Sequence, residues 1–147
     1  MRSLVTVAGA LGMALAAGLL AGTAPAQSQT KPLVISLTGE AEGPGLGDPD
    51  GSGTAELRID AAKGELCYVI RVADIEPARL AHIHKAPAGK AGGPIVFMFE
   101  PPTSGMSEGC QSIAPALAAE LLSTPAEFYV NIHNPQYPGG AIRGQLG

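Results

Sequence analysis

The residues of this chain best suited to chemistry are its three histidines, and two of them stand one position apart. His82 and His84 occur in the stretch AHIHKAPAGKAGGPIVFMF, and His133 occurs in YVNIHNPQYPGG. A neutral imidazole is a ligand for borderline and soft metals and a proton carrier near pH 7. Successive side chains on a strand alternate faces, so His82 and His84 point the same way, with Cα atoms ~6.5–7 Å apart. That spacing lets two imidazoles converge on one ion.

The third imidazole has to come from a different strand. Phe128, Val130 and Ile132 form an alternating apolar set, which puts Tyr129, Asn131 and His133 on the other face. In the last segment Ile142 and Leu146 are the inward candidates, so Arg143 and Gln145 face the other way. If these strands are neighbours, His82, His84 and His133 assemble a site for copper or zinc, not for calcium or magnesium. A structural reading competes. The His-x-His pair would then only bond to backbone or a carboxylate, and His133 would pin the turn at Asn134-Pro135.

Weaker motifs surround these. GDPDGSG, from Gly47 to Gly53, alternates Asp48, Asp50 and Ser52 like a calcium loop. It lacks the distal bidentate Glu, so a turn is expected. Met98 and Met106 could ligate reduced copper, although Met98 inside IVFMF is expected to pack. Glu40 and Glu42 suggest an acid/base pair with no sign of a substrate pocket beside them. A nucleophile elbow, a phosphate loop and a dinucleotide fingerprint are all missing, which argues against ordinary hydrolases and redox-cofactor enzymes.

The elements that must position the histidines are short strands. Leu33 to Thr38 is rich in β-branched residues. Ala55, Leu57 and Ile59 alternate with polar neighbours, Asp60 to Gly64 turns the chain, and Glu65 to Val72 returns. Further strands are expected at about Leu80 to His84, Pro94 to Glu100, Glu127 to His133 and Ala141 to Leu146. Ser112 to Ser123 is the one helical candidate, carrying Ile113, Leu117, Leu121 and Leu122 at helical spacing. About seven short strands separated by Gly, Pro and Asp turns read as an all-β antiparallel sandwich or barrel.

Residues 1–26 read as a signal peptide. Met1-Arg2 precedes an apolar run from Leu4 to Gly22, and Ala24-Pro25-Ala26 supplies the small-x-small cleavage pattern. One domain, 27–147, is left, with a core from about residue 33. The formal charge is −4 overall, and −5 without Arg2, the one charge of the leader. An acidic chain without a Lys/Arg cluster argues against nucleic acid, and against a membrane once the leader is removed. Cys67 and Cys110 fit a secreted protein, periplasmic or extracellular. Their single pairing is expected to be a structural disulfide, which the chain-entropy model values at ~4 kcal/mol.

HIHKAPAGKAGGPIV followed by FYVNIHNPQYPGGAIRGQL resembles the CHRD domain, the family named for chordin and widespread in secreted bacterial proteins. The matching residues are His82, Ile83, His84, Gly89, Gly93 and Pro94. Tyr129, Asn131, His133, Pro138, Gly140, Ile142, Arg143, Gly144 and Gln145 match further on. The likeness runs from about Leu33 to the C-terminus, with Ala86 where the family usually has Gly. It implies an immunoglobulin-like or superoxide-dismutase-like β-sandwich with no established catalytic activity. The outline is also similar to copper–zinc superoxide dismutase, and by that analogy His82, His84 and His133 bind copper while Arg143 steers an anion. No zinc loop is recognisable.

Three functions are then expected, in this order. The first is a secreted binding module holding copper, or less readily zinc, through the three histidines. Asn131 and Tyr129 would support the ligands, and Arg143 would bind an anion or orient the site. The second is an extracellular protein-interaction or structural domain without metal, and the third a copper-dependent, dismutase-like enzyme. Because imidazole binds metal only when neutral, affinity is expected to fall below pH ~6.5.

Overall fold

The computed structural model describes residues 32–147. The expected signal peptide, 1–26, lies outside them. Eight strands form one antiparallel sheet: β1 (Leu33–Thr38), β2 (Ser52–Asp60), β3 (Glu65–Ala73), β4 (Leu80–Lys85), β5 (Ile95–Phe99), β6 (Met106–Ser112), β7 (Phe128–His133) and β8 (Ile142–Gln145). Their order across the sheet is β5-β4-β7-β8-β1-β2-β3-β6. One helix, α1 (Pro115–Ser123), precedes β7.

Alternation builds the core. Leu57 and Ile59 of β2, Leu66 and Ile70 of β3, Ile83 of β4 and Phe128, Val130 and Ile132 of β7 are fully enclosed. Each such side chain contributes about 1.5–3 kcal/mol on burial. The sheet rolls around this core. Tyr68 of β3 and Phe99 of β5, from opposite ends of the strand order, bring their rings to 4.8 Å. The Glu100 amide donates to the Tyr68 hydroxyl across the same gap at 3.1 Å. The result is a curled half-barrel of the sandwich or barrel class that the strand pattern implies.

Helix α1 starts at Pro115, later than the apolar spacing suggests, and buries Ala118 and Leu121. Proline suits the first helical position because its missing N–H would have no partner there. The eighth strand, β6, is the one the sequence pattern passes over. MSEGCQS has no apolar alternation, and its side chains are mostly exposed or half-buried. Pairing with β3 holds it, and Cys67 lies directly opposite Cys110, to which it is disulfide-bonded.

Candidate metal centre

Strand β4 lies between β5 and β7, and the register sets the site. His82 stands opposite Asn131, His84 opposite Tyr129, and Leu80 opposite His133. From β8, Arg143 stands opposite Asn131 and Gln145 opposite Tyr129. Residues directly opposite in an antiparallel pair share a face. One face of three adjacent strands therefore carries His82, His84, His133, Tyr129, Asn131, Arg143 and Gln145. This face is polar but not open: His82 is 3% exposed, Asn131 2% and Arg143 4%.

Loops cover it. The segment between β4 and β5 is held by its carbonyls: Tyr129 Oη donates to Gly92 O at 3.0 Å, Arg143 Nη1 to Lys90 O at 2.8 Å, and Gln145 Nε2 to Ala86 O at 2.9 Å. Gly93 has φ +82°, and a Cβ there would sit 2.2 Å from Lys85 O. Only glycine lets the chain pass so close. A second cover comes from the 3-10 turn Glu40–Glu42, whose Glu42 carboxylate rests where a Cβ of Gly140 would be, 2.3 Å from Oε1.

The three imidazoles meet. One candidate ligand atom from each of His82, His84 and His133 lies within 4.8 Å of the others. The His82 ring centroid is 4.6 Å from that of His84 and 4.6 Å from that of His133. Nitrogens bound at ~2.1 Å to a tetrahedral ion are ~3.4 Å apart, so the widest pair would have to close by up to about 1.4 Å to coordinate one ion.

Their tautomers suit the task. His84 Nδ1 is 3.0 Å from Gly93 O, and His133 Nδ1 is 3.0 Å from Pro138 O. A carbonyl only accepts, so Nδ1 carries the proton in both rings and Nε2 keeps its lone pair when the ring is neutral. Backbone carbonyls orient metal-binding histidines in this way. They are also the contacts of the competing structural reading. His82 differs: its Nδ1 is buried with no hydrogen-bond partner in the protein. Such an atom forfeits about 1–3 kcal/mol unless something else engages it. A bound cation would.

Burial, foremost, depresses the His82 pKa to about 4. The nearby His133 and His84 add to the effect, and the Asn131 hydrogen bond opposes it. Burial likewise lowers His133, against the Pro138 carbonyl, which favours its charged form. Both rings are thereby held in the neutral, ligand form. Glu42 moves the other way: burial raises its pKa, partly offset by Asn131 and the Arg143 charge.

Asn131 links these groups, lying 3.0 Å from His133 Nε2 through Oδ1 and 3.4 Å from Glu42 Oε1 through Nδ2. For His133 to bind an ion through Nε2, the Asn131 amide has to give up this contact and free the lone pair.

Tyr129 contacts both neighbours. His84 stacks on it at 5.0 Å and 18°, and the Arg143 guanidinium lies 3.4 Å from its ring centroid. Arg143 Nη2 turns to Pro87 O and Gln145 Oε1, each at 3.4 Å.

Three other motifs stay apart from this cluster: the Asp48 turn, Met106 and the cysteine pair. Asp48 is buried and caps its own turn, accepting from the Asp50 amide at 3.3 Å. Met106 begins β6 at the far edge of the sheet. Cys67 and Cys110 are joined and offer no thiolate. Met98, expected to pack, is instead 46% exposed, because Phe97 and Phe99 on either side take the core face. Glu42, read in the sequence as half of an acid/base pair with Glu40, reaches Asn131 through a loop with no local signal for that contact, whereas the alternation of IVFMF could have placed Met98 outward.

Among the described residues no helix is long and apolar enough to cross a membrane. No curated protein and no solved structure matches the chain. A family model, that of the CHRD domain, matches residues 33–146, from the first residue of β1 to just past the end of β8. With all of the described sheet inside that match, the chain belongs to the CHRD domain family.

Proposed function

We propose that this chain is an exported CHRD-domain binding module that holds one copper ion through His82, His84 and His133. The observation that carries it is the buried, unpartnered Nδ1 of His82 amid two further converging imidazoles. A site kept for packing alone would gain by replacing that ring with a hydrocarbon. All-imidazole ligation suits copper and zinc, and divalent copper binds more tightly at a given nitrogen site. Tyr129 and Asn131 steady the ligands, and Arg143 orients the covering loop. Export is supported by the disulfide, which persists in oxidising compartments.

Titration calorimetry of residues 27–147 with copper and zinc tests this, with His82→Leu as the variant. Copper binding to the wild type that His82→Leu removes is the expected result. Binding unchanged in His82→Leu overturns it.

A metal-free structural or interaction domain is the second reading, favoured by the carbonyl bonds of His84 and His133. It predicts that His82→Ala, His84→Ala and His133→Ala lower stability equally with and without metal. A dismutase-like enzyme ranks last. It asks Arg143 to meet an incoming anion, whereas Nη1 and Nη2 are directed at Lys90, Pro87 and Gln145.

A further inference from the structure

The histidine face continues past β4 onto β5, the edge strand. There Met98 stands directly opposite His82 in regular register, and Ile95 stands opposite His84 beyond a register shift between Ile83 and His84. A regular pair such as His82 and Met98 shares a face with Cβ atoms ~4.5–5.5 Å apart. Burial agrees, since Phe97 and Phe99 are buried in the core while Met98 and Ile95 are 46% and 50% exposed. A methionine has three rotatable bonds beyond Cα, enough to carry its thioether across one strand spacing to an ion held beside His82. On the other side of β4, Leu80 is 47% exposed and opposite His133. Each histidine is thus paired with, or lies one place from, a large apolar side chain facing outward.

We propose that the Met98 thioether is a fourth ligand of the histidine site and makes it a site for monovalent copper. Thioether sulfur is a soft donor that favours copper(I) over zinc and adds little for divalent ions. The apolar surroundings of Leu80, Ile95 and Met98 act in the same direction, because a poorly hydrated rim penalises the doubly charged ion more than the singly charged one. At 46% exposed, Met98 is packed less fully than a core residue, which leaves its thioether accessible to an ion beside His82. This inference rests on the three-histidine site proposed above.

Copper(I) affinity, measured anaerobically by competition with a chromophoric copper(I) chelator, tests it alongside zinc titration. The proteins compared are residues 27–147 as wild type, Met98→Leu and His82→Leu. Met98→Leu keeps size and apolarity and removes only the sulfur, and because Met98 is half exposed the fold tolerates it. The expected result is a copper(I) affinity lowered about tenfold or more in Met98→Leu, with zinc affinity unchanged. X-ray absorption of the copper(I) protein should show a sulfur neighbour that Met98→Leu lacks.

Equal copper(I) affinity in wild type and Met98→Leu overturns the thioether ligand, while loss in His82→Leu would leave the three-histidine site standing. A wild type that binds zinc or copper(II) but not copper(I) also overturns it alone. No binding of any of these ions overturns both.

Discussion

The Arg143 guanidinium lies flat over Tyr129, with Cζ 3.4 Å from the ring centroid, while its Nη1 donates to Lys90 O at 2.8 Å. One buried cation therefore ties a β8 strand, a β7 aromatic and the loop that covers the histidines. Hydrogen bonds from a charged donor contribute about 1.5–3 kcal/mol, and a desolvated cation–π contact up to ~2 kcal/mol. Arg143→Ala should lower the unfolding free energy by about 2–4 kcal/mol, read by urea denaturation. Arg143→Lys should recover only part of this, because an ammonium cannot reproduce the planar fork. A loss below about 0.5 kcal/mol in Arg143→Ala would show that the loop is held by other means.

Protonation of His82 links the site to pH. Its pKa is about 4 in the folded protein against 6.5 when unconstrained. Between those values the unfolded chain binds more protons, so stability rises with pH there. The contribution is complete above pH ~6.5 and is lost as pH falls toward ~4, at about 3 kcal/mol in all. Glu42, with a raised pKa, acts oppositely: its share is present at low pH and lost as pH rises through its folded value. Urea midpoints of metal-free protein should therefore rise more steeply from pH 4 to pH 7 for wild type than for His82→Leu. Parallel profiles would mean that His82 is not held neutral.

Two glycines of one loop separate strain from crowding. Gly89 and Gly93 have φ of +73° and +82°, but a Cβ on Gly89 meets nothing within 4 Å while one on Gly93 meets Lys85 O. Gly89→Ala should cost about 1–2 kcal/mol, the left-handed penalty alone. Gly93→Ala should cost more, and should also weaken metal binding, because the Gly93 carbonyl orients His84. Equal stability and equal copper affinity in the two variants would contradict that role.

How much of this was legible in the sequence depends on how local each signal is. The alternation of Phe128, Val130 and Ile132 places His133 on the polar face, and His82 and His84 share a face by spacing alone. Their meeting needs β4 beside β7, two strands that are not consecutive in the chain, and no local pattern encodes that adjacency. The burial of the polar face was likewise hidden, since it comes from loops folding back over the sheet. With it were hidden the part played by Glu42 and the depressed His82 pKa. Strand β6 lacks periodicity because it is a polar edge, specified by its partner β3 and by a covalent bond.

That covalent bond is the next test. Cys67 and Cys110 pair across β3 and β6, and the polar side chains of β6 contribute little burial of their own. Replacing both cysteines with alanine should cost about 4 kcal/mol. Hydrogen exchange should then quicken first at the Glu108 and Cys110→Ala amides, leaving β4 and β7 protected. Uniform loss of protection across the sheet would instead show β6 to be integral to the core.

The central claim is that His82, His84 and His133 together hold a copper ion. Metal analysis of residues 27–147 purified without a histidine tag and dialysed against copper measures it most directly, with His82→Ala/His84→Ala/His133→Ala as the control. One tightly held copper per wild-type chain, and none in the triple variant, is the predicted result. Wild-type protein that emerges metal-free, or a folded triple variant that retains as much copper, would contradict it.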